Sequence, residues 1–176
     1  MTPSPSLKAV FRGFLLLSIL GTIVLAIINA GITNAAVPQG IVSFEFCGFT
    51  GTCAAALDSW GEPGRNLTML SLGLDYLYLL SYSGLIWSGL LLLAGRLPQR
   101  WQAGTRGLAW IAPLAGLCDA IENYALIRIV IDGPGETAGL IAGVFASIKF
   151  GIVAITLGWL LFASLAWALP AARRGG

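Results

Sequence analysis

Four long apolar stretches constrain the fold of this chain more than any other feature of its sequence. They cover approximately residues 11–32, 68–94, 108–131 and 138–169. Each is at least as long as the roughly 20 residues that an α-helix needs to cross the hydrocarbon core of a bilayer. The sequence therefore predicts a single transmembrane domain over residues 1–176, an all-α integral membrane four-helix bundle.

The low charge of the chain agrees with this prediction. Only 10% of its residues are charged, compared with roughly 25% in soluble domains. Ten basic and eight acidic side chains are too few to build a water-facing surface on 176 residues, so lipid is expected to cover much of the chain. Nucleic acid is not expected as a partner, because the net charge is only +2 and no basic tract is present. Histidine is absent, which excludes His-ligated haem, His-containing zinc sites and Ser-His-Asp catalysis.

An uneven distribution of basic residues predicts the orientation of the bundle. Seven lie before helix 1, between helices 2 and 3, or after helix 4: Lys8, Arg12, Arg96, Arg100, Arg106, Arg173 and Arg174. The other two connections hold a single one, Arg65. Both termini are therefore expected in the cytoplasm, and residues 33–67 form a 35-residue outer loop. The predicted location is the plasma membrane, the inner membrane of a bacterium, with this loop facing the periplasm or the exterior.

Two cysteines of the outer loop are expected to form a disulfide. Cys47 and Cys53 are six residues apart, with two glycines between them, and the loop faces the oxidising side in the predicted orientation. A structural disulfide is favoured over a redox pair. Residues 54–60 are expected to form a short helix, with Thr50 or Thr52 as its cap.

Four ionisable side chains inside the predicted spans are the most informative feature of the sequence. They are Asp75 in helix 2, Asp119 and Glu122 in helix 3, and Lys149 in helix 4. At 1.5 Å per residue, all four lie roughly 12–18 Å below the outer ends of their helices. Asp119, Glu122 and Asn123 share one helix face, since they are three and four residues apart. Charges in hydrocarbon are costly, so these groups are expected to pair or to line a wet cavity.

Further side chains are candidates for binding a ligand at this layer. Tyr78 and Tyr82 fall on the same stripe of helix 2 as Asp75. A mildly polar stripe of helix 1 is expected to close the fourth side of the site: Ser18, Thr22, Leu25 and Asn29. No metal site is expected, because Lys149 at the same depth disfavours a hard cation, and no cofactor is expected.

The charge balance of this layer predicts acid–base chemistry. Three carboxylates and one ammonium would leave about two uncompensated negative charges in a medium of low dielectric constant, which favours a proton on at least one carboxyl. A neutral carboxylic acid beside an ionised one is the usual acid–base pair of enzymes. The alternative is that Lys149 only bridges two helices.

Short motifs are spread along nearly the whole chain: Phe44-Glu45, Trp60, Asp75-Tyr76, Asp119-x-x-Glu122-Asn123 and Lys149-Phe150. In these motifs the chain resembles a group of uncharacterised bacterial membrane proteins with four transmembrane helices. That resemblance implies no function, but it adds Glu45 and Trp60 to the candidate site as outer residues that cap the cavity. In architecture alone, the chain is also similar to the EXPERA group, which includes sterol isomerases and the sigma-2 receptor. The histidine of the isomerases has no counterpart here, and the motif spacing differs.

The sequence leaves several functions open. The favoured one is an enzyme, an isomerase, hydrolase or cyclase, that acts on a lipophilic substrate by general acid–base catalysis. Asp75 and Glu122 would exchange protons, Asp119 and Lys149 would set their protonation, and Tyr82 and Asn123 would orient the substrate. The alternatives are a small carrier or receptor for a cationic or lipid-like ligand, and a structural or assembly subunit. A thiol–quinone oxidoreductase is least favoured, because no Cys-x-x-Cys pair is present. Whether the chain forms a homo-oligomer is left open.

Overall fold

The fold is described by a computed structural model, which covers the backbone of residues 5–172 and the side chains of residues 5–166. Every regular element in this part of the chain is a helix, so the predicted all-α class is confirmed. The helices are α1 Pro5–Ile32, α2 Ile41–Glu45, α3 Cys47–Thr50, α4 Cys53–Ala94, α5 Gln99–Asp132 and α6 Glu136–Ala172. Arg173 and Arg174, on which part of the predicted orientation depends, lie outside the described residues.

Among the described residues, three helices are long and apolar enough to cross a membrane. They are α1, α4 and, within α6, the stretch Glu136–Ala166. The 34-residue helix α5 has the length but is not in this set. Its second half carries Asp119, Glu122 and Arg128, and these charges lower its hydropathy. The structure therefore contains three of the four predicted membrane-spanning helices as helices of sufficient length and hydropathy.

The long helices extend beyond the predicted spans. α5 begins at Gln99 rather than near residue 108, and α4 begins at Cys53, inside the predicted outer loop. An apolar stretch predicts only the part of a helix that can lie in hydrocarbon. The helix itself continues through polar residues until the backbone leaves the helical conformation. Gly61 makes such a turn inside α4, with φ 55° and ψ −165°. It separates the predicted short helix, residues 54–60, from the main part of α4.

The four long helices pack in a row, α1 on α4, α4 on α5, and α5 on α6. Within the described residues, α1 and α6 do not pack along each other, so the row has an open side. Residues 33–52, here called the connector, join α1 to α4 and contain α2 and α3. α3 packs mainly on α6, and α2 contacts α4, α5 and α6. The connector therefore covers one end of the bundle.

Aromatic packing and a disulfide hold the connector in place. Phe44 is fully buried, and its ring meets that of Trp60 edge-on, with centroids 4.9 Å apart. The indole of Trp60 donates a hydrogen bond of 2.6 Å to the carbonyl of Ile32 at the end of α1. Cys47 and Cys53 are joined by a disulfide, as predicted from the sequence.

A glycine pair allows α3 to approach α6 closely. A Cβ atom added at Gly48 would overlap the backbone of Gly139, and one added at Gly139 would lie 2.9 Å from Cα of Gly48. Side chains larger than hydrogen at these two positions would push the connector away from α6. The position of α2, immediately before α3, therefore depends on this contact.

Candidate functional site

Lys149 lies at the centre of a buried cluster of ionisable side chains. Its Nζ is 2.8 Å from Glu122 Oε2, 3.1 Å from Asp119 Oδ1 and 3.4 Å from Glu45 Oε1. None of these four side chains is more than 9% exposed. Asp119 and Glu122 point to the same neighbour because they are one helical turn apart on α5. The predicted pairing of Lys149 with Asp119 or Glu122 is confirmed, and it involves both.

Glu45 belongs to this cluster, whereas the sequence placed it as a cap on the outer side. It is the last residue of α2, directly after Phe44, and the side chains of both residues are buried at the end of the bundle. Phe44 fills the apolar core while the neighbouring Glu45 side chain reaches Lys149. Burial raises the pKa of the Glu45 carboxyl, and the charge of Lys149 opposes this shift. The cluster therefore contains four carboxyl groups, counting Asp75, rather than the predicted three.

Asp75 and Asp119 form a second, linked part of the site. Asn123 Nδ2 donates a hydrogen bond of 2.6 Å to Asp75 Oδ2, and the Tyr82 hydroxyl donates one of 2.9 Å to Asp119 Oδ2. The carboxyl groups of Asp75 and Asp119 are near enough to interact directly. Side chains of α4, α5, α6 and the connector thus join into one network around Lys149.

A cavity of about 640 Å³ opens onto this network. Its polar groups lie toward the connector and come from the cluster together with hydroxyl groups of α1 and α4: Glu45, Asp75, Asp119, Asn123, Lys149, Ser18, Thr22, Ser71, Tyr78 and Tyr82. The helix 1 stripe predicted to close the site does line it, through Ser18, Thr22 and Leu25. Tyr78 bonds Thr22 at 3.1 Å and so links α4 to α1. The end of the cavity away from the connector is apolar.

Two predicted ligand-binding residues have structural roles instead. Asn29 lies near the end of α1, where its Oδ1 accepts a hydrogen bond of 2.8 Å from the backbone of Ile41. Trp60 is packed against Phe44 in the core. Neither lines the cavity. Asn29 is predicted from the polar stripe of helix 1 and Trp60 from the motif resemblance, and neither pattern indicates the path of the loop that these side chains hold in place.

Glu122 also changes its predicted role. Its side chain is fully buried beneath Lys149 and does not line the cavity. It therefore cannot meet a substrate there, and the predicted proton exchange between Asp75 and Glu122 is not supported by the geometry. Asp119, which lines the cavity next to Asp75, is the partner that the geometry supports.

The donor set of the site consists of carboxyl, amide, hydroxyl and ammonium groups. Among the described residues, no group of three or more His, Cys, Asp or Glu side chains has an arrangement that could hold a metal ion. Lys149 occupies the position between the carboxylates. Three carboxyl groups therefore surround one ammonium group, and the fourth, of Asp75, lies beside that of Asp119.

Comparisons of the chain with protein-family models, curated proteins and solved structures find no match. The resemblances drawn from the sequence motifs stay predictions. The function is therefore argued from the cavity and the cluster alone.

Proposed function

We propose that α1, α4, α5 and α6 all cross a lipid bilayer. Each exposes large apolar side chains on its outward face, as shown by Leu16, Leu77 and Leu161, which are 59–68% exposed. In α5 the outward face carries Trp110 and Leu117, and the charges of Asp119 and Glu122 are buried on the opposite face. Continuous apolar surface of this kind marks contact with lipid or with another protein. Because all four helices have such an apolar outward face, we propose that lipid surrounds them.

The proposed topology predicts where reporters will be found. A reporter fused after Gly176 is expected in the cytoplasm, and one inserted at Gly51 is expected outside. Gly51 ends α3 with a positive φ of 70° and lies exposed at the turn before α4, so an insertion there disturbs little packing. Accessibility of the two tags to a membrane-impermeant label measures the topology. Labelling of both tags from the same side would contradict the proposed four crossings.

We propose that the cavity is the site of an enzyme that acts on a lipophilic substrate by general acid–base catalysis. One observation carries this proposal: the neighbouring carboxyls of Asp75 and Asp119 open into the same largely apolar cavity, but only Asp119 pairs with Lys149. Two adjacent carboxyls in an apolar site do not both ionise readily. The ammonium and the Tyr82 hydroxyl both donate hydrogen bonds to Asp119, whereas Asp75 accepts one from the uncharged amide of Asn123. Asp75 is then the group that holds the proton.

This division of roles is best suited to an isomerisation. Asp75 donates its proton to the far atom of a double bond in the substrate, and Asp119 removes a proton from the carbon attached to the near atom, so that the double bond moves by one position. Transfer of that proton from Asp119 to Asp75 restores the starting state, so no water is consumed. Hydrolysis or cyclisation would use the same two groups. Tyr82 and Asn123 hold the two carboxyls in place through their hydrogen bonds.

The substitution Asp75→Asn tests the proposal. General acid–base catalysis contributes roughly 10²–10⁴-fold to a rate, so the variant is expected to lose that much activity. Membranes containing the protein would be incubated in D₂O with a lipid extract, and deuterium incorporation into the lipids would be measured by mass spectrometry. The wild-type protein is expected to label a lipid species that the variant labels far more slowly.

Asp58→Asn is the matched control, because it makes the same chemical change at an exposed carboxyl of α4. It is expected to behave like the wild type. Equal labelling by the wild type and Asp75→Asn, or no lipid whose mass changes in either, would contradict the enzymatic proposal.

A second candidate is a carrier or receptor for a cationic or lipid-like ligand. It is favoured by the excess of carboxyl groups, since three contact the single ammonium and a fourth, that of Asp75, lies beside Asp119. A ligand that binds in an Asp75-dependent manner and is recovered chemically unchanged would favour this function over catalysis.

A further inference from the structure

The cation of the site has no free donor for a ligand. An ammonium group has three N–H donors, and Nζ of Lys149 contacts three different carboxyl groups, of Glu45, Asp119 and Glu122. Of the described residues that line the cavity, Lys149 alone is cationic. A phosphate or carboxylate head group would therefore meet carboxyls without a cation to pair with.

Acceptors for a ligand are present at the same place. Asp75 lines the cavity and has an amide, not a cation, as its hydrogen-bond donor. Ser18 lines the facing wall on α1, and its buried hydroxyl has no hydrogen-bond partner among the described residues. A head group that donates hydrogen bonds would satisfy both. An amine gains more than an alcohol, since it can take the proton that Asp75 holds in the empty site and form an ion pair with the carboxylate that results.

The cavity continues away from the polar cluster as an apolar channel. Its walls there are formed by large aliphatic side chains: Leu15, Leu85, Ile86, Val153 and Leu157. From Lys149 to Leu157 along α6 the channel extends about 12 Å at 1.5 Å per residue. This shape matches a hydrocarbon chain attached to a single small head group.

The open side of the helix row gives such a molecule a way in. α1 and α6 flank the cavity without packing along each other in the described part of the chain. The edges of this opening are apolar and exposed, with Ile19 and Ile23 on α1 and Phe150 on α6 at 41–52% exposure. The connector covers the end of the cavity near the cluster, through Ile41 and Val42. Entry from the side, out of surrounding lipid, is therefore less obstructed than entry from the covered end.

We infer that the ligand is a single-chain amphiphile with an amine or hydroxyl head group, that it enters between α1 and α6, and that its chain lies along the apolar channel. This inference rests on the proposed use of the cavity as the substrate site. It goes further by excluding anionic lipids and by fixing the direction in which the ligand lies.

Photo-crosslinking in phosphatidylcholine nanodiscs tests the inference with the full chain. The probe is a long-chain primary amine that carries a diazirine at the far end of its chain. Crosslinks mapped by mass spectrometry are expected on α1 near Leu15 and on α6 near Leu157.

Competition by unlabelled amphiphiles tests the head group. An amine is expected to compete most strongly, an alcohol of equal length less, and a fatty acid least. Asp75→Asn is expected to reduce labelling by the amine about tenfold, the loss that corresponds to one charge-assisted hydrogen bond, whereas Asp58→Asn leaves it unchanged.

Each alternative outcome contradicts a definite part of the inference. Competition by the fatty acid as strong as by the amine would overturn the head-group class. Crosslinks on the connector instead of the far ends of α1 and α6 would overturn the direction of the ligand. If the amine binds as expected while no lipid is deuterated, the enzymatic proposal fails and the ligand class stands. If deuteration depends on Asp75 and no amphiphile competes, the ligand class fails and the enzymatic proposal stands.

Discussion

The variant Lys149→Met is expected to lose roughly 3–5 kcal/mol of folding free energy, the cost of removing one partner from a buried ion pair. Methionine preserves much of the volume of the lysine side chain but leaves Asp119, Glu122 and Glu45 without a cation. Glu122 is fully buried and does not line the cavity, so its carboxylate cannot be rehydrated without opening the bundle. Unfolding by SDS titration in mixed micelles measures the loss.

A second substitution is expected to restore part of this stability. Glu122→Gln in the Lys149→Met background removes the carboxylate that is fully buried, so fewer charges are left unpaired. The double variant should therefore be more stable than Lys149→Met alone, although it should still be inactive. Arg128→Met is the matched control, because Arg128 pairs with Asp132 at an exposed position. It should change stability by no more than about 0.5 kcal/mol. A Lys149→Met variant as stable as the Arg128→Met control would contradict the central role of the ion cluster.

Gly48→Ala is expected to be the other strongly destabilising change. The added methyl group would overlap the backbone of Gly139, and overpacking of this kind typically costs about 1–3 kcal/mol. Because α3 follows α2 directly, displacing it would also draw Glu45 away from Lys149. The same SDS titration measures the stability.

The control for this glycine is Gly151→Ala, two residues from Lys149 on α6, where nothing lies within 4 Å of an added Cβ. Alanine is favoured over glycine inside a helix by roughly 0.5–1 kcal/mol, so this variant should be as stable as the wild type or more so. If Gly48→Ala and Gly151→Ala unfold at the same SDS fraction, the close contact of α3 with α6 is not what holds the connector.

The layer of charges could be predicted from the sequence because it depends only on helix geometry. The depths of Asp119 and Lys149 follow from counting residues along a regular helix, and the shared face of Asp119 and Glu122 follows from their spacing. Neither estimate needs knowledge of tertiary contacts. The structure accordingly places these side chains together.

The contribution of the connector could not be predicted in the same way. The depth of a residue outside a membrane span cannot be estimated by counting residues along a helix. No local sequence pattern therefore predicts that the Glu45 side chain points inward to Lys149. Side-chain amides near helix ends often bind nearby backbone groups, but Asn29 binds the backbone of Ile41, twelve residues later, and that contact depends on the path of the connector. The role of Trp60 depends on its bond to Ile32, 28 residues earlier, and no sequence pattern encodes such a contact.

In the proposed four-helix membrane topology, the ion pairs between α5 and α6 also have a consequence for how the chain is assembled. α5 alone would bring Asp119 and Glu122 into hydrocarbon without compensation, and only α6, synthesised after it, carries Lys149. The two helices are joined by only residues 133–135, so they can enter the bilayer together as a hairpin. We expect α5 to insert poorly when the chain is truncated before α6, and to insert when α6 is present. Efficient insertion of the truncated chain in a translocon assay would show that the ion pairs form only after both helices have crossed.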